Sequence, residues 1–398
     1  MQVLFLAQIL SEIHLSLTER SRLVKIENEM LYLCCCAINN IKPEPERVEK
    51  TDLDKLFEIC QSHKLTALAC YALEMVITPD KKWVEAKGKS IRKNMLLDLE
   101  RRKITAFMEQ NCIKYMPLKG VYIKDYYPKA GMRQMSDNDI YFDGTHRETL
   151  EKYMRSIGYE DIEKGLNHDE YKRPPVYNFE LHFSLFSDYD SKVLSEYYSD
   201  IDKRLLKDGN NNHGYHLSNE DFYIYIIAHE YKHFINCGTG LRSLLDCLVL
   251  LKKFEDTLDW DYIKQETDKL GMTDFEQTQR KLCKKLFTKK LTKAEKKMLE
   301  YFSSCGAYGN TKTGEINTIK KIIKSNRSEE ENVTLKMKFS YVFSRLFPPL
   351  EAYKTRYPFF YRHKYLIPFL FVYRMVNGLI KIVFKKDKAI KTEIEALK

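Results

Sequence analysis

Through the first 110 residues apolar side chains recur at helical spacing, as in Leu31, Leu33, Cys34 and Ile38, or Leu56, Ile59 and Cys60, with few glycines between them. The pattern predicts a helical N-terminal region. From Cys112 the texture changes, and the β-rich runs Ile113 to Met116, Asp139 to Phe142 and Val176 to Leu185 alternate with helical ones. Between the second and third runs, Thr145 and Glu148 have the spacing of a capping box. Leu150, Tyr153 and Ile157 continue it as an amphipathic helix that Gly158 stops. Helical periodicity returns in Phe222 to Phe234 and Leu241 to Phe254 and continues through lysine-rich helices to the end. The expected class is α+β: a helical N-terminal region (1–110), a small mixed sheet with flanking helices (111–195), and a helical C-terminal domain with a basic tail (196–398).

A chain of 398 residues, 44% apolar, can bury a sizeable core, which excludes a disordered protein. Its ten cysteines include the adjacent Cys34, Cys35 and Cys36 but form no C-x-x-C pair. They read as thiols of a reducing compartment, so the expected location is cytoplasmic. The opening MQVLFLAQIL has neither a basic flank nor a cleavage site and reads as a buried helix rather than a signal peptide. Near the C-terminus the longest uncharged apolar run, Tyr365 to Tyr373, falls well short of the ~20 residues of a membrane span.

The net charge of +10 belongs to the tail, because residues 320–398 carry 18 Lys and Arg against 7 Asp and Glu. There the stretch Tyr353 to Tyr365 interleaves aromatics with bases. Such a mixture suits nucleic acid by stacking, an anionic membrane surface, or an ordinary solvated face with its aromatics in the core.

Three segments carry candidate chemistry. Tyr115-Met-Pro-Leu-Lys-Gly120 ends a strand and opens a helix, where Gly120 is either plain turn chemistry or a close approach for phosphate, with Lys119 adding a charge. In Arg133-Gln-Met-Ser-Asp137-Asn-Asp139, the two aspartates at i, i+2 lead into a β run. On a strand both carboxylates share one face, and such a pair suits Mg²⁺ or Mn²⁺ unless it is a solvated turn. In Val176 to Leu185, the residues Asn178, Glu180 and His182 alternate with Phe179, Leu181 and Phe183. The polar stripe is either the wet face of a sheet or a third carboxylate brought beside the aspartates to complete a two-metal site.

With Leu118-Lys119-Gly120, Arg133 to Asp139 and Glu180-Leu181-His182, followed by His229, His233, Arg242 and Asp246, the chain resembles the nucleotidyltransferase superfamily over roughly residues 112–250. The likeness is to an uncharacterised bacterial branch with the pattern L-K-G, R-x-x-x-D-x-D, E-L-H. The resemblance implies that Asp137, Asp139 and Glu180 hold the metal ions. It also implies that Glu180 helps deprotonate the acceptor, that Lys119, Gly120 and His182 serve the nucleotide, and that a nucleoside triphosphate donates to an unidentified small-molecule or macromolecular acceptor. Arg133 reads equally as a phosphate ligand or as a structural ion pair. Better-known superfamily members have Gly-Ser at the phosphate turn, which keeps a non-catalytic nucleotide-binding module as an alternative.

His229-Glu230-Tyr231-Lys232-His233 also matches H-E-x-x-H, the zinc-hydrolase pattern of two helical His ligands with a Glu base. Asn236 and Thr239 stand where the extended form needs Gly and His, while Glu255 is spaced to serve as a third ligand. The other reading of His229 and His233 is packing against the catalytic domain.

Overall fold

The structure, a computed structural model, describes residues 17–189, 191–209, 211–286, 290–307, 309, 358–366 and 369–370. The first ten residues, expected as a helix, lie outside these, as does most of the basic tail. Among the described residues, the first five helices are α1 (Leu17–Asn39), α2 (Pro45–Glu49), α3 (Leu53–Ser62), α4 (Thr66–Leu73) and the long α5 (Lys81–Gln110). The α/β part follows as β1 (Tyr115–Pro117), α6 (Gly120–Tyr126), β2 (Asn138–Phe142), α7 (Arg147–Ser156), β3 (Glu160–Lys164), β4 (His168–Arg173) and β5 (Tyr177–His182). After α8 (Lys192–Tyr197) and the short hairpin of β6 (Leu206–Lys207) and β7 (Tyr215–His216) come five more helices. They are α9 (Asn219–Ile235), α10 (Leu241–Phe254), α11 (Trp260–Lys269), α12 (Thr273–Lys285) and α13 (Lys293–Ser304). A separate short helix, α14 (Pro358–Arg362), lies in the tail, where Phe359 and Tyr365 are exposed.

The fold is α+β, as the hydropathy pattern predicts. The five strands of its main sheet are ordered β1-β2-β5-β4-β3; β2 and β5 run parallel and every other neighbouring pair antiparallel. Alternation along β2 and β5 sends Ile140, Phe142, Phe179 and Leu181 to one face, where they pack with Leu97, Ile104 and Met108 of α5 and with Leu150 and Met154 of α7. Asp139, Glu180 and His182 point to the other face. There the helices before and after the α/β part share a second core, in which Cys34, Cys35 and Trp83 join Leu244, Leu245 and Phe302. Helix α5 spans both cores, contributing Trp83 to one and Leu97 to the other.

The entry to α7 departs from the expected capping box. A 3₁₀ turn (Gly144–His146) precedes it, and Asp143 caps that turn by accepting from the Thr145 backbone N–H at 3.0 Å and its hydroxyl at 2.9 Å. Thr145 therefore donates instead of accepting, because the aspartate two residues earlier outcompetes it as an anionic acceptor. Gly158 ends this region at φ +85°, the left-handed geometry that favours glycine. Among the described residues, no helix is long and apolar enough to cross a membrane.

Gly240 joins α9 to α10, and the Gly306 carbonyl oxygen occupies the place of a Cβ there. Gly240→Ala should therefore force α10 off the turn after α13 and cost about 1–3 kcal/mol, read as a lower urea midpoint. A wild-type midpoint would show that these segments do not pack as described.

Candidate active site

The acidic loop is built on α5. Ser90, Lys93, Asn94, Leu97 and Arg101 fall on one helical stripe, and each touches the segment that carries the aspartates. Ser90 Oγ donates to the Gly131 carbonyl at 2.8 Å, Lys93 Nζ to that of Ser136 at 2.9 Å, and Asn94 Nδ2 to that of Arg133 at 2.9 Å. Asn94 Oδ1 in turn accepts from the Met135 N–H at 3.2 Å. Asn138, fully buried between the two aspartates in sequence, points back at the helix. It donates to the Leu97 carbonyl at 3.0 Å and accepts from Arg101 at 3.2 Å. With Asn138 turned inward, the period of two turns Asp137 and Asp139 outward together.

Register brings in the third carboxylate. In the parallel pairing of β2 with β5, Asp139 lies directly opposite Glu180, so both side chains leave the same face of adjacent strands. Lys119 Nζ donates to Asp139 Oδ1 at 2.9 Å, and His182 Nε2 lies 3.0 Å from that same oxygen and 3.4 Å from Glu180 Oε2. Both contacts use Oδ1 of a carboxylate that lines the cavity. Lys119 reaches this position from a backbone with φ +49° and ψ −117°, a region costly for any side chain but glycine. His168 on β4, opposite His182 in register, adds a second imidazole 4.0 Å from Glu180 Oε2.

Electrostatics divide the two aspartates. Burial works against a charge on Asp139, yet Lys119 and His182 hold its carboxyl well below the usual range. Burial, then Asp139 and Glu180, push Asp137 up to about 6. Three carboxylates converge on one lysine, and among the described residues no side chain pairs directly with Asp137. The donor set, all oxygen on the aspartate side and short of positive charge, fits a hard divalent cation such as Mg²⁺ or Mn²⁺.

Arg133 is bound elsewhere. Its Nε donates to Asp246 Oδ1 at 2.9 Å and its Nη2 to Oδ2 at 2.8 Å, while the Tyr127 hydroxyl donates to Oδ1 at 2.8 Å. Of the two readings of this arginine, the structural pair is the one its geometry displays. Gly120 lies behind it, the space of a Cβ filled by the Arg133 guanidinium, with Met135 Cε at 3.0 Å.

A cavity of about 370 Å³ opens over the carboxylates. Its far wall comes from α9, α10 and the turn between them and includes His229, Lys232, His233 and Arg242. The two histidines touch through their Nε2 atoms at 3.3 Å, and burial followed by Lys119 and His233 holds His229 well below its ordinary value, hence neutral. Glu230 accepts from Gln279 of α12 at 2.5 Å, and Glu255, past the opposite end of α10, pairs with Lys284. Neither carboxylate joins the histidines. Among the described residues the cluster with metal-ligand spacing is His168, Glu180 and His182.

Sequence reasoning missed His168 and the α5 stripe. A polar stripe at 90, 93, 94 and 101 is visible in the sequence, but nothing local separates it from a solvated helical face.

The Arg133–Asp246 pair is desolvated on both sides. Removing either partner alone, as Arg133→Ala or Asp246→Ala, should cost about 3–5 kcal/mol, and the double variant should cost clearly less than the sum. Additive losses in a double-mutant cycle by urea unfolding would contradict a direct pair.

A family model described as an uncharacterised nucleotidyltransferase matches residues 49–288, a span that holds every side chain named in this site. Among curated proteins and among solved structures, none matches the chain. On a match over more than half its length, this chain belongs to the uncharacterised nucleotidyltransferase family.

Proposed function

We propose that the protein moves a nucleoside monophosphate from a nucleoside triphosphate to a hydroxyl or phosphate acceptor, releasing pyrophosphate, with Asp137, Asp139 and Glu180 holding the Mg²⁺ or Mn²⁺ ions. The observation that supports this most is the placement of Asp139 opposite Glu180 on parallel strands, with Asp137 on the same face. When bound, such ions neutralise phosphate charge and orient the attacking and leaving oxygens.

The chain's own groups have separable tasks. Lys119 and His182 fix the rotamer of Asp139 through Oδ1, so its carboxylate is presented in one orientation. Glu180, less enclosed than Asp139, takes the acceptor hydroxyl proton in this reading as the new bond to the α-phosphorus forms and the bond to the pyrophosphate oxygen breaks. Arg133 anchors Asp246 and leaves phosphate charge to other cations.

Two measurements test the reading. Calorimetry should show Mg²⁺-dependent nucleoside triphosphate binding by the wild type and none by Asp137→Asn with Asp139→Asn; equal binding by both would remove the assignment. Incubation with each labelled triphosphate and a cell extract should release pyrophosphate and label the acceptor. Nucleotide binding without pyrophosphate would favour a non-catalytic module.

The crowding of carboxylates makes a separate prediction. In EDTA, Asp137→Asn should stabilise the protein by about 1–3 kcal/mol, because an amide neither loses hydration like a charge nor repels its neighbours. Mg²⁺ should then raise the melting temperature of the wild type more than that of the variant. A variant less stable than wild type in EDTA would count against the repulsion.

A further inference from the structure

The turn at Gly120 offers a phosphate little. Helix α6 is only seven residues long, and the three amides that follow Gly120 are already used: Val121 N donates to the Leu118 carbonyl, and Tyr122 N and Ile123 N to that of Lys119, each at 3.2 Å. The side of Gly120 that lacks a Cβ is filled by Arg133, and Lys119 is drawn onto Asp139. A polyphosphate carrying several negative charges, next to three carboxylates, needs cations on its far side as well as metal between.

The opposite wall of the cavity supplies them. Lys232 projects from the last turn of α9 and Arg242 from the first turn of α10, two helices that meet at the Gly238–Gly240 turn. Arg242 Nη1 lies 3.5 Å from the Gln134 carbonyl, which sets this guanidinium beside the acidic loop, and its charge reaches Asp137. Thr239 and Ser243, whose hydroxyl oxygens lie 2.6 Å apart, line the same wall. Burial and then Lys119 hold the neighbouring His229 well below its ordinary value, so the permanent positive charge on this wall rests on the lysine and the arginine.

Building on the nucleotidyltransferase reading, we infer that the β- and γ-phosphates of the donor are held by Arg242 and Lys232 of the helical half, with Thr239 and Ser243 as hydroxyl donors, and not by the Gly120 turn. The substrate then bridges the two halves of the protein. Its α-phosphate faces the carboxylates of the sheet, and its pyrophosphate portion stays with the helices after transfer. The Arg133–Asp246 pair acts at one remove: Asp246 lies one helical turn beyond Arg242, so the pair sets where that guanidinium stands relative to Asp137.

The test uses the full-length protein in calorimetry, with inorganic tripolyphosphate without metal and with each ribonucleoside triphosphate plus Mg²⁺. Arg242→Gln and Lys232→Ala should each weaken tripolyphosphate about 10-fold or more, and together about 100-fold, while Arg242→Lys keeps part of the affinity. Asp137→Asn with Asp139→Asn should abolish only the Mg²⁺-dependent gain. Wild-type tripolyphosphate affinity in the folded double variant, its melting curve checked, would overturn this assignment while leaving the carboxylate site standing. If the double variant does not fold, wild-type affinity in both single variants overturns it equally. Loss of tripolyphosphate affinity on Arg242→Gln with no effect of the aspartate changes would uphold the anion wall and overturn the transferase reading. A wild type that binds neither ligand overturns both.

Discussion

Three carboxylates share one small space, and their mutual repulsion is the constraint around which the site is arranged. Left to itself the loop from Gly131 to Asn138 would swing Asp137 into solvent, where its charge is hydrated and its neighbours distant. The α5 stripe prevents that. Ser90, Lys93 and Asn94 bond the loop backbone, and Asn138 is inserted between the aspartates to bond the helix, so separating the charges would break several buried hydrogen bonds at once. The Lys119 backbone makes the same point from the other side: a conformation costly for lysine is retained because it delivers an ammonium to Asp139. A site that holds like charges together before the substrate arrives need not reorganise when a cation binds.

The same loop also docks the helical half. Arg133 and Asp246 are 113 residues apart in sequence, and their bidentate contact, reinforced by Tyr127, ties α10 to the segment that carries the aspartates. A charged pair in that position locates more than an apolar contact would, since two parallel hydrogen bonds specify orientation as well as distance. Further attachment comes from the apolar core that Trp83 and Cys34 share with Leu244 and Phe302, and from Lys252, which donates to the Ile38 carbonyl and to Asn39. Helices that precede and follow the α/β part therefore back the open face of the sheet, and the cavity is what remains between them.

How much of this was legible in the sequence depended on the range of the interaction. The aspartate pair was legible because its spacing and its strand are local, and Glu180 because alternation with Phe179 and Leu181 is local as well. Strands β3 and β4 were not: Glu160 to Lys164 and His168 to Arg173 carry charges on both faces, which hides the period of two. One reason is visible in β4, where Asp169 points to the apolar side yet is satisfied by Arg147 at 2.5 Å and 2.7 Å. The capping box failed for a subtler reason, since Thr145 had the right spacing but Asp143, two residues earlier, is the stronger acceptor. Arg133 was left between two roles because its partner lies on a helix no local pattern could bring near.

The H-E-x-x-H segment shows how a motif is decided by what surrounds it. Its two histidines do share a helical face and do line the cavity, as the zinc reading requires. A hydrolytic base, however, must be aimed at a metal-bound water, and Glu230 is instead buried and held by Gln279 of α12, with burial raising its carboxyl well above the usual range. The helix borders the cavity through His229, His233 and the half-buried cation Lys232, and burial and then Lys119 hold His229 well below its ordinary value. In a cavity already rich in carboxylates, the cations Lys232 and Arg242 offset negative charge, whereas a further ionised acid beside the histidines would add to the repulsion that the fold already has to restrain.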